Sequence, residues 1–172
     1  MSWLAKYLTP DEFCDSIYDI DPYRLAGQGW KVVYLDIDNT LLPFGAERPT
    51  LKCQQWVMEL RGAGLFPLIL SNNRYPSRVE QVAQVFDIPA VCWALKPFPW
   101  ALRAVQAEFG LRGKPSVLIG DQVLTDVILG KTQGFYTILV KPIRLDNKPS
   151  KALQFQFEQM LLRFFGVTQP AH

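Results

Sequence analysis

Short, continuous apolar runs alternate along this chain with longer segments in which apolar residues repeat at helical spacing. Five such runs, rich in β-branched residues, span residues 31–35, 66–70, 90–94, 116–119 and 135–140. Four segments between them predict helices, over residues 50–62, 76–86, 98–109 and 122–132. A continuous apolar run is typical of a strand that helices cover on both faces, and hence of a parallel sheet. The pattern therefore predicts an open three-layer α/β fold, a Rossmann-like sandwich with a five-stranded parallel sheet.

The ends of the chain carry helix signals of their own. The segment Thr9–Glu12 has the pattern of a helix start, with a capping Thr, a Pro suited to the first turn and a Glu that can close a capping box. Asp21–Pro22 repeats this signal, so residues 1–30 are predicted to form a helical lead-in. Residues 150–172 are predicted to carry an amphipathic helix. We find no linker or repeat, and expect one domain over residues 1–172.

Composition and charge exclude several kinds of chemistry. The single histidine is the last residue, His172, which excludes a Ser-His-Asp triad and His-rich zinc sites. The three cysteines are far apart and odd in number, so we expect a reducing compartment rather than disulfides. Eighteen basic and 16 acidic residues leave a net charge of +2, which does not indicate nucleic acid binding. Without a membrane-spanning run or a signal peptide, the expected location is cytoplasmic.

Polar residues follow the predicted strands at the edge where open parallel sheets bind ligands. In strand order they are Asp36, Asp38 and Thr40, then Ser71 and Asn72, then Lys96, then Asp121 and Asp126, then Lys141. Each is an ordinary turn or surface residue when taken singly. Together, however, they bring four carboxylates, hydroxyl groups and one or two lysines to one edge. Such carboxylates repel one another without a cation, and the lack of His or Cys favours Mg²⁺ over zinc.

This set of residues resembles the motifs of the haloacid dehalogenase (HAD) superfamily of phosphatases. Its four motifs are matched by Asp36-x-Asp38-Asn-Thr40, by Ser71, by Lys96 and by Gly120-Asp121-x-x-x-x-Asp126. Within that superfamily, the chain most resembles the YqeG family of HAD type IIIA phosphatases. Four stretches carry this closer resemblance: Leu8–Phe13, Ser71–Asn73, Gly120–Asp126 and Gly134–Val140. Mitochondrial phosphatidylglycerophosphate phosphatases of eukaryotes are a similar branch. The resemblance implies a Mg²⁺-dependent phosphomonoesterase that forms an aspartyl-phosphate intermediate.

The resemblance also implies a role for each matched residue. Asp36 would be the nucleophile and Asp38 the acid that protonates the leaving oxygen and then activates water. Lys96 would offset charge on the nucleophile and the phosphate. The implied metal ligands are the Asp36 carboxylate, the Asp38 backbone carbonyl and Asp121, with Asp126 either a further ligand or a residue that supports the ligands. Ser71 and the Asn72 amide would hold phosphate oxygens, and Thr40 would order the first loop.

No cap domain fits in this chain, because the segments after Thr40 and between Ser71 and Lys96 are short. An open site suits a large phosphorylated substrate, of which phosphatidylglycerophosphate is one candidate, or it needs a partner subunit as a lid. The basic loop 141–148 and the C-terminal helix would then touch an anionic membrane surface, or the helix would pack on the sheet or on a second copy.

A non-catalytic phospho-acceptor, such as a response-regulator receiver, is the alternative. Receivers also gather acidic residues after the first strand and place Lys-Pro after the fifth, as Lys141-Pro142 does here. A receiver's acceptor Asp ends the third strand, however, where this chain has Trp93-Ala94. Asp38 discriminates between the two, since turnover needs an acid/base group there and a stable acceptor does not.

Overall fold

The structure, a computed structural model, describes residues 3–144 and residue 160. Apart from Met160, the helix predicted over residues 150–172 lies outside the described residues. In the described part of the chain, the helices are α1 (Trp3–Leu8), α2 (Pro22–Gly27), α3 (Leu51–Gly62), α4 (Pro76–Phe86), α5 (Trp100–Glu108) and α6 (Ile128–Thr132). The strands are β1 (Glu12–Cys14), β2 (Val32–Leu35), β3 (Phe66–Leu70), β4 (Ala90–Val91), β5 (Ser116–Gly120) and β6 (Tyr136–Val140). A 3₁₀ turn covers Ile17–Asp19 and a π-helical turn covers Val123–Val127.

The described strands form one parallel sheet in the order β1-β6-β5-β2-β3-β4. From β2 the chain moves outward through β3 and β4, and then returns to the other side of β2 with β5. In an open α/β sheet, the crevice beyond the strand ends at such a reversal is where ligands bind. Asp36, Ser71 and Asp121 directly follow the three strands that meet there.

Alternate residues of the central strands pack into two separate apolar layers. Val33 and Leu35 of β2 belong to a cluster built with α2, α3 and α4. Val32 and Tyr34 point the other way, into a cluster that includes Leu102 of α5 and other residues of α5 and α6. All four β2 residues are fully buried, which explains why this strand appears in the sequence as a continuous apolar run. The predicted three-layer α/β fold is therefore confirmed.

The sheet has six strands where the sequence pattern predicted five, and the predicted helix start at Thr9–Glu12 is wrong. Helix α1 ends at Leu8, where the Thr9 hydroxyl donates to the Ala5 carbonyl at 2.8 Å. The next residues form β1, which pairs in parallel with β6. The Asp11 carboxylate accepts hydrogen bonds from the backbone N–H and the hydroxyl of Thr137, at 2.8 and 2.9 Å. Pairing across more than 120 residues of sequence thus overrides a local capping pattern.

Other predictions of the sequence pattern are confirmed. Asp21 caps α2 by accepting a hydrogen bond from the backbone N–H of Tyr23 at 2.9 Å. Residues 36–50 form turns and residues 71–89 hold only α4, so neither segment contains a cap domain. In the described ranges no helix has the length and apolar character needed to cross a membrane.

Candidate active site

A cavity of about 280 Å³ opens at the carboxyl edge of the sheet, at the point where the strand order reverses. The residues that line it are Asp36, Asp38, Phe44, Ser71, Asn72, Asn73, Arg74, Tyr75, Lys96, Gln122 and Thr125. Five of the residues selected from the sequence therefore line one cavity. Asp121 and Asp126 are buried near Asp36, and Thr40 is buried in the loop after β2. Lys141 lies apart, in an ion pair of 2.7 Å with Asp15.

Lys96 joins two carboxylates in the interior of the site. Its Nζ donates to Oδ1 of Asp36 and to Oδ1 of Asp126, each at 2.6 Å. The side chain of Lys96 is 2% exposed, so all three groups are removed from water. Burial alone would lower the pKa of Lys96, but the carboxylates of Asp126 and Asp36 outweigh this effect and hold the pKa above its ordinary value. Lys96 is therefore a permanent positive charge at the site.

The Asp36 carboxyl is held in an unfavourable setting for its charged form. Burial, together with the neighbouring Asp126 carboxylate, raises the pKa of Asp36 to about 6, although Lys96 acts in the opposite direction. Because burial penalises the ionised form of Asp36, additional positive charge beside it would lower its pKa and stabilise the carboxylate. The site thus favours a cation beside Asp36.

The donor set at this position fits a hard divalent cation. Carboxylate oxygens of Asp36, Asp121 and Asp126 lie within 4.8 Å of one another, and all three residues are buried. Three carboxylates and the Lys96 ammonium carry a net charge of −2 when all are ionised, which one divalent cation balances. Oxygen-only ligands are those that Mg²⁺ prefers.

Asp38 lies at the wall of the cavity and is held by groups from two other segments. Arg78 of α4 donates from Nη2 to Oδ1 of Asp38 at 2.7 Å and from Nη1 to Oδ2 at 3.2 Å. Asn73 donates from Nδ2 to Oδ2 at 2.9 Å. The Arg78 and Asp38 side chains are 12% and 16% exposed, so this fork is mostly shielded from water.

The loop after β3 lines the cavity and also holds the backbone of Lys96 in place through hydrogen bonds. The Asn72 side chain accepts from the backbone N–H of Lys96 at 2.7 Å and donates to the Lys96 carbonyl at 3.1 Å. The Ser71 hydroxyl is buried at the cavity and accepts from the backbone N–H of Asn73 at 3.2 Å. Thr40 does not line the cavity, and its predicted role in ordering the loop stays a prediction. The peptide bond between Lys96 and Pro97 is cis.

A glycine is required at position 120 because the Asp126 side chain lies close to it, and not because of its backbone angles. A Cβ placed on Gly120 would lie 2.3 Å from both Cγ and Oδ2 of Asp126. The Asp126 side chain therefore occupies the space that a larger residue at 120 would take. This packing sets the position from which Asp126 accepts the hydrogen bond of Lys96.

Comparison with known proteins identifies the family of this chain. A family model described as HAD-hydrolase-like matches residues 94–142. The chain is 35% identical over 159 residues to a protein of Bacillus subtilis named probable phosphatase YqeG, and the match covers 92% of both chains. The chain belongs to the YqeG family of HAD-like phosphatases. It is thus a phosphoric monoester hydrolase, and nothing in the comparisons supports the receiver-like alternative.

Three further proteins are similar to this YqeG-family chain, one in sequence and two in structure. It is 27% identical over 168 residues to a chloroplastic phosphatidylglycerophosphate phosphatase 1 of Chlamydomonas reinhardtii, covering 91% of this chain and 62% of that protein. An uncharacterised protein of Listeria monocytogenes has a TM-score of 0.55 at 14% identity, over 80% of this chain and 99% of that one. The cobalt-bound deoxy-D-mannose-octulosonate 8-phosphate phosphatase of Haemophilus influenzae has a TM-score of 0.52 at 17% identity, over 82% and 92%. The structural neighbours support the HAD-like fold.

Sequence reasoning missed Arg78, the residue that contacts Asp38 most extensively in this YqeG-family site. One signal was available in the sequence. Arg78 is the third residue of α4, and a cation in the first turn of a helix opposes the helix dipole. A basic residue in that position, just after the Ser71–Asn73 segment, indicates a buried or active-site anion nearby.

Proposed function

We propose that this phosphatase is a Mg²⁺-dependent phosphomonoesterase in which Asp36 becomes phosphorylated. The observation that carries the proposal is the position of Lys96, whose ammonium group bridges Asp36 and Asp126 at 2.6 Å beneath an open cavity. A carboxylate fixed next to a permanent cation, at the base of a cavity, is suited to attack an anionic phosphoryl group. In phosphoryl transfer, positioning and charge stabilisation supply most of the catalysis.

For the cation, we propose Asp36, Asp121 and the Asp38 carbonyl as direct ligands. Asp126 already accepts hydrogen bonds from Lys96 and from the backbone N–H of Gln122, so we assign it to holding Lys96. When bound, Mg²⁺ would neutralise charge on the phosphoryl oxygens and on Asp36. A related fold, the Haemophilus influenzae phosphatase, has been solved in a cobalt-bound form, which supports a divalent cation in such sites.

The proposed reaction has two steps. In the first, an Asp36 oxygen attacks phosphorus, the bond from phosphorus to the leaving oxygen breaks, and Asp38 donates a proton to that oxygen. In the second, Asp38 takes a proton from water, the water oxygen attacks phosphorus, and inorganic phosphate leaves as the Asp36 carboxylate reforms. The buried Ser71 hydroxyl and the backbone N–H of Asn72 are proposed to hold phosphoryl oxygens in both steps.

For the substrate, we propose a phosphate on the headgroup of an anionic phospholipid, with phosphatidylglycerophosphate as the specific candidate. The name of the Chlamydomonas reinhardtii relative supports this choice. The lack of a cap leaves room for a substrate that stays embedded in a membrane. Large aromatic side chains are also exposed on cavity-lining residues or close to Lys96 in the sequence, a group we call the aromatic rim: Phe44, Tyr75, Trp93, Phe98 and Trp100.

Two members of the aromatic rim line the cavity, and the other three lie within four residues of Lys96 in the sequence. Phe44 and Tyr75 line the cavity itself. The Trp93 ring lies 5.2 Å from the guanidinium carbon of Arg74, another cavity residue. Phe98 and Trp100 stack with ring centroids 4.8 Å apart, directly after Lys96 in the chain. Aromatic rings beside a cation suit the boundary between anionic headgroups and acyl chains. Of the predicted basic loop 141–148, residues 145–148 lie outside the described residues.

The catalytic part of the proposal is tested by phosphate release from 4-nitrophenyl phosphate with Mg²⁺ and with EDTA. We expect release to require Mg²⁺ and to be lost in Asp36→Asn. The matched control is Asp87→Asn, since Asp87 is an exposed aspartate that pairs with Arg61 on the surface. Full activity of Asp36→Asn, or full activity in EDTA, would contradict the aspartyl-phosphate mechanism.

The substrate part is tested by comparing vesicles that contain phosphatidylglycerophosphate with soluble glycerol phosphate. We expect kcat/KM to be higher on vesicles. Trp100→Ser should lower vesicle activity about 10- to 150-fold, since burying a large apolar side chain contributes about 1.5–3 kcal/mol. Activity on glycerol phosphate should stay unchanged. Met58→Ser serves as the control, because Met58 is equally exposed but lies on α3, away from the aromatic rim. Better turnover of the soluble phosphate would refute the lipid substrate and leave the catalytic proposal standing.

A further inference from the structure

The Asp38 carboxylate is almost fully occupied by hydrogen bonds in the cavity wall. Four N–H groups point at its two oxygens, from Arg78 twice, from Asn73 and from the backbone of Gly45. An ionised carboxylate has about four acceptor positions. To act as an acid, Asp38 must carry its proton at one of these positions, so it must give up one of the four contacts before it can donate to a substrate.

The two oxygens of Asp38 are not held equally. Oδ2 accepts from Asn73 at 2.9 Å and from Arg78 at 3.2 Å, so both of its acceptor positions are well used. Oδ1 accepts from Arg78 at 2.7 Å, but its second donor, the Gly45 N–H, is 3.5 Å away and therefore weak. The contact that is lost most easily is the one on Oδ1.

Arg78 is well placed to hold Asp38 while that weak contact is exchanged. Its Nε donates to the carbonyl of Ala46 at 3.0 Å, so one guanidinium group joins α4, Asp38 and the loop that follows Asp38. The side chain is 12% exposed, which leaves it little freedom to move. A planar guanidinium can make these three bonds at once, and a lysine ammonium cannot reproduce the fork.

We propose that Arg78 is a positioning residue for the reaction, which fixes the Asp38 carboxylate so that Oδ1 exchanges the Gly45 contact for the leaving oxygen of the substrate. This inference rests on the proposed acid/base role of Asp38. Its consequence is selective, because a leaving group that is already a stable anion needs little help from an acid. An alkoxide leaving group needs that help most.

The test compares kcat/KM for two substrates, 4-nitrophenyl phosphate and glycerol phosphate, in the wild type, Arg78→Gln and Arg78→Lys. This ratio covers the steps up to departure of the leaving group, so it leaves out the water step that both substrates share. We expect Arg78→Gln to lower kcat/KM on glycerol phosphate about 10²-fold, the loss typical of a misplacement of about 1 Å. On 4-nitrophenyl phosphate the loss of kcat/KM should stay within about threefold. The values for Arg78→Lys should lie between those of the wild type and Arg78→Gln, since lysine keeps the charge but not the fork.

Two further variants separate this inference from the proposed function. Asp38→Asn should show the same selective loss of kcat/KM on glycerol phosphate, and adding Arg78→Gln to Asp38→Asn should lower kcat/KM no further. Arg61→Gln is the control, since Arg61 makes an exposed ion pair with Asp87 on the protein surface. If Asp38→Asn gives no selective loss, the acid/base role itself fails.

Three results would overturn the role of Arg78 alone, with the role of Asp38 intact. One is a selective loss in Asp38→Asn that Arg78→Gln does not share. Another is an equal loss of kcat/KM on both substrates together with a lowered Tm, which would mean a structural role. The third is a rise in KM alone, which would mean that Arg78 binds the phosphate directly.

Discussion

Replacing Gly120 with alanine tests whether the packing at the end of β5 sets the position of Asp126. The new Cβ would lie 2.3 Å from Cγ and Oδ2 of Asp126, whereas non-bonded carbon atoms stay about 3.5–4.0 Å apart. The Asp126 carboxyl must therefore retreat by about 1.2–1.7 Å. The hydrogen bond from Lys96 Nζ to Asp126 Oδ1 is 2.6 Å long, so a movement of this size takes it beyond the usual limit of about 3.2 Å.

We expect Gly120→Ala to lower both stability and turnover. Overpacking of this kind costs about 1–3 kcal/mol of unfolding free energy, which corresponds to about 2–4 °C in Tm for each kcal/mol in a chain of this size. Because Lys96 loses one of its two carboxylate partners, kcat on 4-nitrophenyl phosphate should fall about 10²-fold. Urea denaturation and steady-state kinetics measure the two effects.

Two other glycines supply matched controls for this substitution. A Cβ on Gly130 would lie 2.3 Å from Cγ2 of Thr137, so Gly130→Ala is equally crowded but touches no residue of the site. It should lose stability and keep kcat within about twofold. Gly27 has nothing within 4 Å and ordinary backbone angles, so Gly27→Ala should lose neither. Unchanged kcat in Gly120→Ala, or an equal loss of kcat in Gly130→Ala, would refute the reasoning.

Two pH-dependent effects follow from the buried and half-buried carboxylates. The pKa of Asp36 is raised from 3.8 to about 6, so its contribution to the stability of the metal-free protein is fully present below pH 3.8 and is lost as pH rises through 6. Because Mg²⁺ binds the ionised form, the increase in Tm on adding Mg²⁺ should be larger at pH 7.5 than at pH 5, and an equal increase at both would contradict the assignment of Asp36 as a ligand. The pKa of Asp11 is lowered: burial alone would raise it, but hydrogen bonds from Lys131 and Thr137 outweigh burial. Its contribution to stability is therefore present above pH 3.8 and is lost as pH falls below that value. Asp11→Asn should lower the unfolding free energy at pH 7. It should also make the unfolding free energy fall less steeply as the pH is lowered, and an unchanged pH dependence below pH 3.8 would contradict this.

Local pattern was sufficient for the central strands and for the residues that follow them. The β2 segment Val32–Leu35 is buried on both faces, so its apolar run predicts a parallel strand without knowledge of its neighbours. Residues that follow the ends of parallel strands must share one edge of the sheet. For that reason Asp36, Ser71 and Lys96 could be assigned to one cavity before any distance was known.

The sequence by itself determined the alternation of elements, the edge where the polar residues gather and the motifs that resemble HAD phosphatases, because each depends on periodicity or short spacing along the chain. Only the tertiary structure decided the contacts between distant residues. β1 pairs with β6 beside the hydrogen bonds that join Asp11 to Thr137, and the fork on Asp38 comes from Arg78, 40 residues further along the chain. Such contacts have no local signature, since their energy arises only when the sheet brings the two segments together.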